Sequence, residues 1–136
     1  MANDNKAPHI AIMRSELSRA RGLGAAKTGY HHWWAQRITA LALVPLTLWF
    51  VINIVALNGA PHAAVVTWLA NPFTLVLMLA LIGALFHHMQ LGLQVVIEDY
   101  VHAERCRVVV LLAMKGAVYL LGLAAAVAAL KMGLGG

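Results

Sequence analysis

Two short stretches hold most of the residues that could do chemistry. The first is Phe86-His87-His88-Met89-Gln90-Leu91-Gly92-Leu93-Gln94-Val95-Val96-Ile97-Glu98-Asp99-Tyr100. On a helix its two imidazoles lie about 15 Å from Glu98, at ~1.5 Å rise per residue. Ala84, His88 and Gly92 are spaced i, i+4, i+8 and share one face. Small residues one turn either side of a histidine leave room for a bulky flat group, and neutral imidazole is a good axial ligand for haem iron. His88 therefore has three readings: a core histidine hydrogen-bonded across helices, a haem ligand, or a proton relay or ligand to another metal. His87 could serve instead, but its neighbours on that face are Gly83 and the bulkier Leu91, which favours His88. At 100° per residue Asp99 returns to within ~20° of His88. Asp99 and Tyr100 read either as an interfacial anchor with a solvated acid or as a quinone headgroup site, with the phenol donating to a carbonyl and the carboxylate relaying protons.

The second stretch is Gly29-Tyr30-His31-His32-Trp33-Trp34-Ala35-Gln36-Arg37. Its aromatics fit an interfacial belt. Arg37 reads either as a positive anchor that snorkels to the headgroups or as a charge-assisted partner for haem propionates. Lys115, His62, His102 and Cys106 read as peripheral.

The elements that must position these residues follow from charge. Ile38 to Ile97 is a run of 60 residues without Asp, Glu, Lys or Arg, in a chain that is 62% hydrophobic and 11% charged. Soluble domains carry roughly 25% charged residues. Two membrane helices of ~20 residues and a short loop fill such a run. Leu75–Phe86 does not alternate, which excludes a barrel, and helices are the remaining way to satisfy the backbone in lipid. The expectation is an all-α integral membrane protein with three spans at about 35–56, 73–98 and 107–130. A segment 1–28, with a short surface helix over Arg14–Lys27, precedes the membrane domain 29–136. Asn58–Pro72, with its Asn-Gly-Ala-Pro and Asn-Pro turn signals, reads as a short loop, and Pro45 should kink the first span. Met1–Lys27 lacks the apolar run of a signal peptide. The net charge of +5 comes mostly from residues flanking the spans, so it is an orientation signal and not one for nucleic acid. It places the N-terminus and second loop in the cytoplasm and the C-terminus in the periplasm. Three helices enclose little, and Ala80, Ala84, Gly92, Gly116, Ala124 and Ala125 permit close helix packing, so a partner bundle is expected.

The segment Gly29-x-His31-x5-Arg37-x-Thr39, the Arg21-Gly22-Leu23-Gly24 start and above all the His88-x3-Gly92-x6-Asp99-Tyr100 pattern resemble the small hydrophobic membrane anchor of succinate dehydrogenase. The likeness runs from about Arg14 to the C-terminus and points to the bacterial branch resembling mitochondrial enzymes. It implies a subunit of succinate:ubiquinone oxidoreductase, the enzyme shared by the tricarboxylic acid cycle and the respiratory chain, in a bacterial inner membrane. Implied partners are a flavoprotein with FAD, an iron–sulfur protein and a second three-helix anchor. It further implies a haem b shared between the anchors with His88 as this chain's ligand, Tyr100 and Asp99 at the ubiquinone site, and Arg37 and His31 near the haem propionates. His87 departs from the pattern. The chain has no nucleotide-binding loop, cysteine cluster or succinate site, so it holds no catalytic residues of its own. A transporter or proton-channel subunit using His88 and Asp99 as a relay, or a purely structural anchor, are the competing readings. No continuous polar path is visible along the second span, which weighs against the relay.

Overall fold

A computed structural model describes residues 27–135, with side chains from Gly29 onward. The surface helix expected over Arg14–Lys27 lies, apart from Lys27, outside the described residues. Four helices follow in order: α1 (Lys27–Ala56), α2 (His62–Ala70), α3 (Pro72–Tyr100) and α4 (Glu104–Gly135). Three of them, α1, α3 and α4, are long and apolar enough to cross a membrane. The all-helical, three-span expectation is met among the described residues.

The spans extend further than their apolar cores because their ends are built by capping, not by hydropathy. Asn71 Oδ1 accepts the Phe73 amide at 2.9 Å, and Pro72 occupies the first turn of α3, where its missing N–H costs nothing. At the other end the Val101 amide closes on Ile97 O at 2.9 Å, so α3 continues through Tyr100. Only residues 101–103 separate it from α4. The helix α1 runs on through Pro45.

The loop expected over Asn58–Pro72 contains a helix. Its turn signals hold: Gly59 takes φ 77°, a conformation that suits glycine. Between the two turns, however, His-Ala-Ala-Val-Val-Thr-Trp-Leu-Ala forms α2. Nine residues with no internal breaker pair part of their backbone polar groups this way. Two aromatic contacts fasten α2 to α1. Trp68 Nε1 donates to Asn53 Oδ1 at 3.0 Å, and the Trp49 and Trp68 rings stack at 5.8 Å and 22°.

The middle member is α3: α1 and α4 each pack on it and do not approach one another. Toward α4, α3 presents Phe86, whose ring lies 3.2 Å from where a Cβ on Gly122 would stand, and Leu75, at 3.0 Å from the same position on Gly133. Toward α1 it presents His88, through Thr39 and Gln36. The chain is an open row of spans with a small interior. Its buried apolar residues are Leu69, Leu75, Leu81, Leu91, Val118 and Ala129.

Candidate functional site

The two adjacent histidines part company. Their side chains project ~100° apart around α3. His87 is exposed and lines an apolar groove of about 430 Å³ between α3 and α4, beside Tyr119 and Gly122. His88 is half-buried and turns toward α1. Its Nδ1 lies 3.0 Å from Thr39 Oγ1 and its Nε2 3.4 Å from the Gln36 amide nitrogen.

The hydrogen bonds at Thr39 favour one assignment of the two ring nitrogens. A hydroxyl has one proton and two lone pairs. That proton points at the Ala35 carbonyl, 2.7 Å away, with Gln36 O at 3.2 Å. With that proton on a carbonyl, the oxygen is placed to accept from His88 Nδ1–H. In the Nδ1–H tautomer the lone pair sits on Nε2. The Gln36 amide opposite it is a donor, but at a distance that makes the contact weak.

Beside this histidine lies a groove of about 670 Å³ lined by residues of the first turns of α1 and the last third of α3, among them His32, Gln36, Gly92 and Glu98. Its polar lining is incompletely paired: His32 Nε2 and Gln36 Oε1 are both buried without a hydrogen-bond partner. Each such atom costs free energy unless a partner is supplied. Gly92 is open, since a Cβ there would meet only the Gln36 side chain, at 3.8 Å. A ladder runs along α3 on the same side. Gln90, only 5% exposed, donates to Gln94 Oε1 at 3.4 Å, and Gln94 donates to Glu98 Oε1 at 2.8 Å. This ladder is confined to the last third of the span. Its two glutamines have no titratable proton, so it orders side chains rather than relaying charge.

The remaining expected site residues are distributed around the rim. Arg37 is exposed, with its guanidinium 5.3 Å from the centre of the Trp33 ring, a cation–π contact. His31 is exposed and stands edge-on to Tyr30 at 5.8 Å; it is His32, one position on, that lines the groove. Trp34 Nε1 donates to the Tyr30 hydroxyl. Asp99 and Tyr100 are exposed, Tyr100 to 80%, and the acid that lines the groove is Glu98. Beside Tyr100, His102 Nδ1 donates to the Tyr100 carbonyl at 3.2 Å, fastening the short turn into α4. Lys115 is half-buried and Cys106 and His62 are exposed.

Sequence reasoning gave no role to Gln36, Gln90 or Gln94, did not place Glu98 on the groove, and named Thr39 only within a family pattern, not as a partner of His88. The i, i+4, i+8 spacing of Gln90, Gln94 and Glu98 was a usable signal. Thr39 and Gln36 were not readable as partners of His88, because the contact spans two helices.

Among the described residues no three His, Cys, Asp or Glu side chains converge to hold a metal ion. A metal at His88 would have to bring most of its ligands with it, as haem iron does. One imidazole nitrogen close to a fixed hydroxyl and the other in only a weak contact suits such a group.

Comparison with known proteins bears on the same question. The family model described as "Succinate dehydrogenase/Fumarate reductase transmembrane subunit" matches residues 11–129. The chain is 40% identical over 103 residues to the "Succinate dehydrogenase hydrophobic membrane anchor subunit" of Rickettsia bellii, covering 75% of this chain and 82% of that one. It is 31% identical over 86 residues to the "Succinate dehydrogenase membrane anchor subunit" of Reclinomonas americana, covering 61% and 72%. To the hydrophobic membrane anchor subunit of Paracoccus denitrificans it is 33% identical over 82 residues, covering 60% and 63%. No solved structure matches it. Three apolar spans and a match over nearly the whole chain give one conclusion: this multi-pass membrane protein belongs to the succinate dehydrogenase/fumarate reductase transmembrane-subunit family, as an anchor subunit of that enzyme.

Proposed function

We propose that the chain holds the flavoprotein and iron–sulfur subunits of succinate:ubiquinone oxidoreductase at the cytoplasmic face of a bacterial inner membrane. With a second three-helix anchor it builds a haem b site and part of the ubiquinone reduction site. FAD and the iron–sulfur clusters belong to the soluble partners. The observation that carries this reading is the placement of His88, whose Nδ1 lies 3.0 Å from Thr39 Oγ1 while Nε2 has only a 3.4 Å contact, with Gln36, a residue that lines the groove.

Haem, when bound, supplies a one-electron store between the two anchors. His88 would hold the haem iron from this chain, with a further ligand from the partner anchor, since His87 faces a different groove. Gly92 keeps the approach to His88 clear. Arg37 and His31 are exposed at the same end of α1; both would hydrogen-bond the propionates, the guanidinium in charge-assisted bonds. Tyr100, exposed where α3 ends, would donate its hydroxyl proton in a hydrogen bond to a quinone carbonyl, and the adjacent Asp99 supplies the carboxylate for a proton relay. The basic flanks of α1 and α4 support a cytoplasmic position for this end.

The test is the reduced-minus-oxidised visible spectrum of the complex purified through this chain. A b-type band is expected in wild type and in His87→Ala, and its loss in His88→Ala. A well-assembled wild-type complex with no such band would refute the haem assignment.

A further inference from the structure

We propose that Thr39 is the positioning residue for His88, holding the imidazole in the Nδ1–H tautomer so that Nε2 alone is offered to iron. The inference rests on the haem reading above and adds a residue and a direction to it.

Three features of the geometry combine. Thr39 is on α1 and His88 on α3, so the bond of 3.0 Å between them fixes the ring relative to a second helix and not merely to its own backbone. The hydroxyl's own proton is directed to Ala35 O at 2.7 Å, the usual arrangement for threonine in a membrane helix. That donation polarises the oxygen as an acceptor. Finally, nothing comparable holds the Nε2 side, where the Gln36 amide stands at 3.4 Å and Gln36 Oε1 has no partner. Metal-ligating histidines commonly donate their second N–H to a fixed acceptor, which sets the tautomer and raises the ligand's basicity. A valine at 39 keeps the shape of threonine and removes the acceptor, leaving Nδ1–H unpaired inside the membrane.

The experiment uses the purified whole complex and reads three quantities: haem retained per complex, the haem midpoint potential by redox titration, and the ferric haem EPR spectrum. Thr39→Val is expected to weaken haem retention by roughly 10- to 100-fold, to raise the midpoint potential because the imidazole becomes a weaker donor, and to move the ferric EPR signal. Thr39→Ser keeps the hydroxyl and should restore all three. Thr47→Val removes a similar hydroxyl-to-backbone bond, from Thr47 to Leu43 O, and should change none of them. Wild-type potential, EPR signal and retention in Thr39→Val would overturn the proposal while leaving the haem reading intact. If Thr39→Val does not assemble, Thr39→Ala removes the acceptor without placing a methyl against the ring. It must show the same shifts, and wild-type values in it overturn the proposal equally. A wild-type complex without haem, or loss of haem in His87→Ala in place of His88→Ala, overturns the parent reading and this one with it, and is recognisable because the failure appears before Thr39 is altered.

Discussion

At the α2 end of the molecule Trp68 donates to Asn53, its ring stacks on Trp49, and Leu69 and Leu75 close over Gly133. At the opposite end His32 Nε2 and Gln36 Oε1 are buried without partners, and the groove they line stands open between α1 and α3. The same three spans run through both ends, so the difference is not one of helix length or hydropathy. It lies in what the side chains were selected to meet. The α2 end uses glycine to bring its own helices together, whereas near the groove Gly92 has almost nothing against it. A glycine filled by its own chain is a packing residue; a glycine left empty beside unpaired polar atoms marks a place for something else.

Filling each glycine in turn breaks the comparison most sharply. Gly92→Phe should leave the spans and their membrane insertion intact, since only the Gln36 side chain stands nearby, yet abolish most haem incorporation, measured as b-type absorbance per assembled complex. Gly133→Val should do the reverse. Its Cβ would press on Leu75 and on the Leu69 carbonyl at 3.0–3.1 Å, overpacking worth about 1–3 kcal/mol. Thermal inactivation should therefore come earlier while the haem-to-complex ratio stays at the wild-type value. Trp68→Phe keeps much of the stack and removes the bond to Asn53; an interhelical hydrogen bond in a membrane is worth about 0.6 kcal/mol, so a small loss of thermal stability is expected and no spectral change. The smallest effect is expected from Glu98→Gln. The Gln94 bond survives in altered form, stability should stay within about 0.5 kcal/mol, and any change should be confined to ligand binding in the groove.

The same comparison explains which parts of the molecule could be read from the sequence. The spans could, because 60 residues without a formal charge admit little else. The separate roles of His87 and His88 could be anticipated, since adjacent helical positions cannot face one site. The helix α2 was hidden between two strong turn signals, Asn58-Gly59 and Asn71-Pro72. What decided it was the need to satisfy an apolar segment's backbone together with a tryptophan contact 15 residues back. The acid facing the groove is Glu98 where Asp99 had drawn attention, a difference of one position that shifts the face by 100°. Thr39 and Gln36 depend on α1 lying against α3, a fact of tertiary packing with no local signature.

The account's central claim is that the groove end is half of a site completed by partner chains while the α2 end is complete. Water-soluble maleimide labelling in native membranes tests it directly, on a Cys106→Ser background, with single cysteines at Val95, which lines the groove, and at Thr67, exposed on α2. The predicted result is that Val95→Cys labels when the partner subunits are absent and is protected in the assembled complex, with Thr67→Cys labelling equally in both. Equal labelling of Val95→Cys in the two membranes, against an unchanged Thr67→Cys control, would contradict the account.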